Sequence, residues 1–158
     1  MDIAQGANVP PTNPSFNTLL AQAKTSQDSL GTVQQQLNTQ NLKLRRSQTH
    51  LLKNKLTDAQ GYLRQAGAKL GVETPQMKVP AGASTIERFM AYVNDGQEQL
   101  VQVQKKLKEM AAHGQQINAA DMLAVTVKMN LAQQEIEYSS TLLSKVIDSI
   151  KQIMNIQL

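Results

Sequence analysis

The C-terminal segment from Asn118 to Leu158 constrains the fold of this chain more than any other part of its sequence. Apolar or small residues recur in it at alternating steps of three and four: Met122, Val125, Met129, Ala132, Ile136, Ser139, Leu143, Val146, Ile150 and Ile153. This spacing predicts one long helix with an apolar face that other helices must cover. Leu123, Val127 and Leu131 widen the apolar surface, so we expect the helix to pack inside an assembly larger than its own subunit.

The remainder of the sequence also predicts helices and no strands, so the fold class is all-α, with extended helices. Residues 1–14 carry Pro10, Pro11 and Pro14, and we predict a disordered N-terminal segment that could serve as an export signal. Residues 15–70 predict a long helical region. Its apolar spacing slips by one residue between Leu51 and Leu52, which indicates a change in the winding of a supercoil or a bend. Glycines weaken the region, so it could be broken or fold only on assembly.

Residues 71–83 contain two prolines and two glycines and predict a linker. Residues 84–158 predict an antiparallel helical hairpin. Ser84 and Glu87 form a capping box at its first helix, and Gly114 is placed as a left-handed C-cap. Asn118 caps the second helix, which we predict to be the assembly helix, over residues 118–157.

No catalytic, cofactor-binding or metal-binding residues are predicted. The chain has no cysteine, and its two histidines, His50 and His113, lie in separate helices without neighbouring acidic clusters. Glu135 and Glu137 are two residues apart, so they point to different faces of a helix and cannot act as a pair. We therefore expect a protein that is not an enzyme.

The net charge of +4 comes mainly from residues 43–55, which include Lys43, Arg45, Arg46, Lys53 and Lys55. Such a segment could contact nucleic acid or anionic lipid. No aromatic residue in it could stack on bases, so we favour a solvated helix face and no nucleic-acid partner.

No apolar run is long enough for a direct transmembrane span. The N-terminus lacks the basic start and apolar core of a Sec signal, so any export should use another route.

The C-terminal segment resembles the inner-rod subunits of bacterial type III secretion systems, which are related to the needle subunits of the same machine. Three stretches carry the resemblance. The helix opens with Ala119-Ala120-Asp121-Met122-Leu123, and a Gln-containing middle follows at residues 129–137. It closes with Ser144-Lys145-Val146, Ile150, Ile153 and Gln157. These stretches cover about a quarter of the chain, and residues 15–112 have no counterpart.

The resemblance implies a structural subunit that links the inner-membrane export apparatus to the needle base and is required for needle assembly and secretion. Its partners would be further copies of itself, the needle subunit and the export-apparatus proteins. It would lie in the cell envelope, inside the periplasmic basal body, and would be exported by its own type III system. The implied assembly interface consists of Met122, Met129, Ile136, Leu143, Val146, Ile150, Ile153, Met154 and Gln157.

Alternative functions remain open at this point. A needle or filament subunit would polymerise by itself into long fibres. A cytoplasmic helical chaperone or adaptor would cover a client with its C-terminal helix. A basic nucleic-acid-binding coiled coil would bind in a salt-sensitive manner.

Overall fold

A computed structural model describes residues 12–157. In this part of the chain it contains four helices and no strand: α1 (Thr12–Leu37), α2 (Arg46–Lys69), α3 (Thr85–Ala112) and α4 (Ala119–Gln157). The all-α prediction is confirmed. Residues 12–14, predicted as disordered, belong to α1, where Pro14 falls in the first turn and removes no helical hydrogen bond. The prediction for residues 1–11 lies outside the described residues.

The break in the first helical region lies at residues 38–45, between α1 and α2. Asn41 adopts a left-handed conformation there, with φ of 62°, which asparagine tolerates better than most residues. Most of the apolar residues before the predicted slip thus belong to a different helix from those after it. Leu42 and Leu44 pack against the core and hold the connection on the bundle.

Side-chain contacts define the direction of each helix. Gln22 donates a hydrogen bond to Asn130 and Gln36 donates one to Ser144, so α1 and α4 run parallel. Gln104 donates a hydrogen bond to Gln27, and a Cβ atom at Gly96 would lie next to Leu30. The later residue of α1 thus meets the earlier residue of α3, so these two helices are antiparallel.

Two further pairs complete the bundle. The Gln60 side chain donates a hydrogen bond to Asp95, and a Cβ atom at Gly67 would lie next to Val103. Both pairs run in the same order along the two helices, so α2 and α3 are parallel. Lys55 pairs with Glu135 and Lys128 lies over the ring of Tyr62, so α2 and α4 are antiparallel.

The four pairs close a ring in the order α1, α3, α2, α4. Within the described helices, α1 makes no close backbone contact with α2, and α3 makes none with α4. The predicted hairpin of α3 and α4 is therefore not formed as a packed pair. The two helices are consecutive and antiparallel but occupy diagonal positions, because the apolar faces of both pack on α1 and α2 instead.

The helix ends follow the predicted caps. The Ser84 hydroxyl accepts a hydrogen bond from the amide of Glu87 at 3.1 Å, and the Glu87 carboxylate accepts one from the amide of Ser84 at 2.9 Å. Gly114 has φ of +65° after the end of α3, a conformation that favours glycine. The Asn118 side chain accepts from the amide of Asp121 at 2.8 Å and caps α4.

Residues 70–84 connect the C-terminal end of α2 to the N-terminal end of α3 and therefore run back along the bundle. Arg64 donates to the carbonyl and hydroxyl oxygens of Thr74, at 3.0 and 2.8 Å, and pairs with Asp95 at 3.4 Å. Buried Gln99 contacts both Arg64 and Thr74. The predicted linker is thus fastened to α2 and α3 by a polar network.

Candidate assembly surface

The apolar face of α4 lies mainly inside the chain's own bundle. Val125, Met129, Ala132, Ile136 and Leu143 are all at most 1% exposed, and they pack in a core shared by all four helices. Val146, at 5% exposed, closes this buried stretch. Other helices do cover the face, as the spacing requires, but they belong to the same chain.

Polar side chains join α1 to α4 on one flank of this face. Gln22 donates to Asn130 at 2.8 Å, and Gln36 donates to the Ser140 carbonyl oxygen at 3.0 Å and to the Ser144 hydroxyl at 2.8 Å. Between them, Ser26 donates to Gln133. The sequence is rich in Gln, but nothing in the pattern showed that Gln residues of α1 would pair with α4.

The other flank of α4 packs against α2 through charged and aromatic groups. The Lys55 ammonium lies 3.6 Å from a carboxylate oxygen of Glu135 and 4.7 Å from the centre of the Tyr138 ring. Lys55 thus belongs to an intramolecular contact, whereas Lys43, Arg45, Arg46 and Lys53 are exposed, as a solvated face requires.

Beyond Val146, α4 leaves the cover of the other helices. It has 39 residues against 26 in α1, which at about 1.5 Å per residue makes it about 20 Å longer. Ile150 is half-buried, and Ile153 and Met154 are 56% and 51% exposed. This end of α4 therefore presents apolar side chains that the bundle does not cover.

A groove of about 610 Å³ lies between this end of α4 and the connection from α1 to α2. The wall on α4 consists of Val146, Ser149, Ile150, Ile153 and Met154, and the opposite wall consists of Asn41, Lys43, Arg45 and Gln48. We call it the end groove. Leu42 and Leu44 hold the second wall against the core, so the groove is formed in the folded chain.

The predicted interface residues are thus divided into two groups. Met129, Ile136, Leu143 and Val146 are buried and Met122 is half-buried in the bundle, whereas Ile150, Ile153 and Met154 line the end groove. The side chain of Gln157 lies outside the described part of the structure. An assembly interface through these residues stays a prediction, and among those that the structure describes, only the second group is available to a partner in the folded chain.

Sequence reasoning missed the contribution of Asn41, Lys43 and Arg45 to this surface. Leu42 and Leu44, which anchor them, were the available signal: they are apolar residues within a polar and basic stretch. The histidines lie apart, His50 beside Asn54 and His113 bonded to the Glu109 carbonyl oxygen. Within residues 12–157, no three acidic or histidine side chains are grouped as metal ligands would be. None of the described helices carries an apolar stretch that could span a membrane.

Comparison of the chain with protein-family models finds no match, and neither the curated proteins nor the solved structures contain a significant one.

Proposed function

We propose that this chain is an inner-rod subunit of a bacterial type III secretion apparatus. In this role it links the export apparatus to the needle base by helix packing, inside the periplasmic basal body, and is required for needle assembly and secretion. It reaches that position through its own type III system. Its partners are further copies of the chain, the needle subunit and the export-apparatus proteins.

One observation carries the proposal. The second half of the closing stretch that resembles the inner-rod family, with Ile150 and Ile153, coincides with the part of α4 that leaves the bundle beyond Val146. Apolar residues that served only the internal core would not be expected beyond the bundle, where Ile153 is exposed to solvent. The coincidence supports an intermolecular role for this end of α4.

The bundle determines where assembly begins in this proposal. Covering one exposed Ile or Met side chain contributes up to about 1.5–3 kcal/mol. Uncovering Met129, Ile136 or Leu143 would first lose a similar amount at each position. Docking at Ile150, Ile153 and Met154 requires no such loss, so the first contact forms there, and the internal face joins only if a partner opens the bundle.

The test is charge substitution at the end of α4. We expect Ile153→Asp, or deletion of residues 151–158, to leave expression intact and to abolish needle assembly and secretion. Ile153 is 56% exposed, so Asp at this position should leave the bundle folded. Ile150→Asp should have the same effect, with a risk to folding because Ile150 is half-buried.

Leu123→Asp provides the matched control. Leu123 also lies on α4 and is 65% exposed, but it is at the opposite end of the helix. Needles are counted by electron microscopy and secreted proteins are measured in culture supernatants. Normal secretion from the Ile153→Asp strain, with the protein at wild-type level, would contradict the proposal.

A cytoplasmic chaperone or adaptor is the second candidate, and the preformed end groove is the observation that favours it. A chaperone would bind its client in this groove before export and would stay in the cytoplasm. Fractionation separates the two roles, because a rod subunit copurifies with basal bodies whereas a chaperone does not.

A further inference from the structure

We infer that the end groove receives an acidic amphipathic helix of a partner protein. The inference names the chemistry of the partner that docks at the end of α4, and in that respect it rests on the proposed function. It depends on three properties of the groove: the continuity of its apolar wall with the core, its charge and its concave shape.

The apolar wall continues an interface that already exists. Ile150 and Ile153 follow Leu143 and Val146 on the same face of α4, at steps of four and three residues. Inside the bundle that face is covered by helices packed side by side with α4. Beyond Val146 the described residues opposite it in the groove belong to the α1–α2 connection and, through Gln48, to the first turn of α2. The same packing mode calls for a helix at this place.

The charge of the groove selects the partner. Lys43 and Arg45 form its second wall and are exposed, and none of the described residues that line it is acidic. The neighbouring part of α4 adds Lys145 and Lys151 against one acid, Asp148, and all three are exposed. A docking helix should therefore carry carboxylates beside its apolar stripe.

The same charge disfavours a second copy of α4 as the occupant, since its end is also cationic. The concave shape disfavours a membrane surface. Val146 and Ile150 lie at the base of the α4 wall and are at most half-exposed, so a side chain must enter the groove to reach them. Projecting side chains on a helix can do so, whereas a flat bilayer surface cannot.

The test uses the purified full-length chain and a labelled synthetic peptide. The peptide is an amphipathic helix with Leu at steps of three and four and Glu on both flanks of the stripe. Its counterpart carries Lys in place of every Glu. We expect saturable binding of the Glu peptide, weakened by added salt, and at least tenfold weaker binding of the Lys peptide.

Variants locate the binding site. The double variant Lys43→Glu with Arg45→Glu should weaken binding of the Glu peptide at least about tenfold, since two attractions become repulsions. Ile153→Asp should weaken it similarly. Lys53→Glu is the control, because Lys53 is exposed on α2 but does not line the groove; its binding should change less than about twofold.

Several results would overturn the inference: no binding of the Glu peptide at millimolar concentration, equal binding of the Lys peptide, or equal weakening by Lys53→Glu. Binding to phosphatidylglycerol vesicles in place of the peptide would identify a lipid surface instead. Self-association that Ile153→Asp abolishes, without peptide binding, would identify a second copy. If secretion is lost in Ile153→Asp but the peptide does not bind, only this inference fails. If the Glu peptide binds the chain but the Ile153→Asp strain secretes normally, the proposed function fails.

Discussion

Gly96, in the middle of α3, allows the sharpest test of the packing. An ideal Cβ atom at this position would lie 3.0 Å from Cδ1 of Leu30 on α1 and 3.6 Å from Cδ1 of Leu63 on α2. Gly61, in the middle of α2, has no such neighbour within 4 Å. The same substitution, Gly to Ala, therefore meets a packed contact at one site and open space at the other.

The two substitutions should change the free energy of unfolding differently: Gly61→Ala should raise it, whereas Gly96→Ala should leave it unchanged or lower it. Ala is favoured over Gly inside a helix by about 1 kcal/mol, so Gly61→Ala should stabilise the chain by about that amount and raise Tm by about 2–4 °C. At Gly96 the same gain opposes overpacking, which costs about 1–3 kcal/mol. Leu30 is only 2% exposed, so its side chain cannot swing into solvent. Gly96→Ala should therefore be neutral or destabilising by up to about 2 kcal/mol.

The assay is urea and thermal unfolding followed by circular dichroism. Combining Gly96→Ala with Leu30→Val removes the Cδ methyl that the new Cβ would meet, and the two changes should be less destabilising together than their sum, by about 1 kcal/mol. If Gly96→Ala stabilises as much as Gly61→Ala, and no coupling to Leu30 appears, the proposed contact of α1 with α3 is refuted.

Three further predictions concern the cap of α3 and the linker. Hydrogen bonds from the backbone amide and hydroxyl of Ser84 lower the pKa of Glu87 below its ordinary value of 4.5. Because the pKa is lower in the folded than in the unfolded state, these bonds stabilise the fold above pH 4.5. This contribution is lost as the pH falls through the folded-state pKa. The stability difference between wild type and Glu87→Gln, measured by urea unfolding, should therefore shrink on acidification, and a difference that stays constant down to pH 2 would contradict this. Ser84→Ala should destabilise the chain by about 1 kcal/mol. Arg64→Ala removes the hydrogen bonds that hold Thr74 and should speed trypsin cleavage after Lys78. Lys69→Ala is the control, because Lys69 is exposed at the end of α2, and it should leave the cleavage rate unchanged. Equal cleavage rates in the wild type and Arg64→Ala would show that the network does not hold the linker.

The sequence predicts the helices well, because their caps and periodic apolar faces are local signals. Ser84, Gly114 and Asn118 each mark a helix end through their own side chain or backbone preference. The break at residues 38–45 has no proline or glycine to mark it, and the slip between Leu51 and Leu52 lies inside α2. A change of phase shows that two apolar faces do not align, but not where the chain turns between them.

The arrangement of the helices could not be predicted from the sequence. A short connection such as residues 113–118 favours packed antiparallel neighbours, yet α3 and α4 lie on a diagonal. Periodicity reports that a face is buried, but it does not identify which helices bury it. The sequence predicts Met129, Ile136 and Leu143 for an assembly interface, and this stays a prediction; periodicity could not show that they lie in a core shared with the other helices of the same chain.

The central claim is that the end of α4 joins this chain to a secretion apparatus. The most direct measurement places a photo-crosslinking amino acid at position 153 and examines basal bodies purified from cells that carry the chain. The account predicts that the chain copurifies with these particles and that position 153 crosslinks to a neighbouring subunit, while the same probe at position 123 does not. Absence of the chain from the particles, together with normal secretion in a strain that lacks it, would contradict the account.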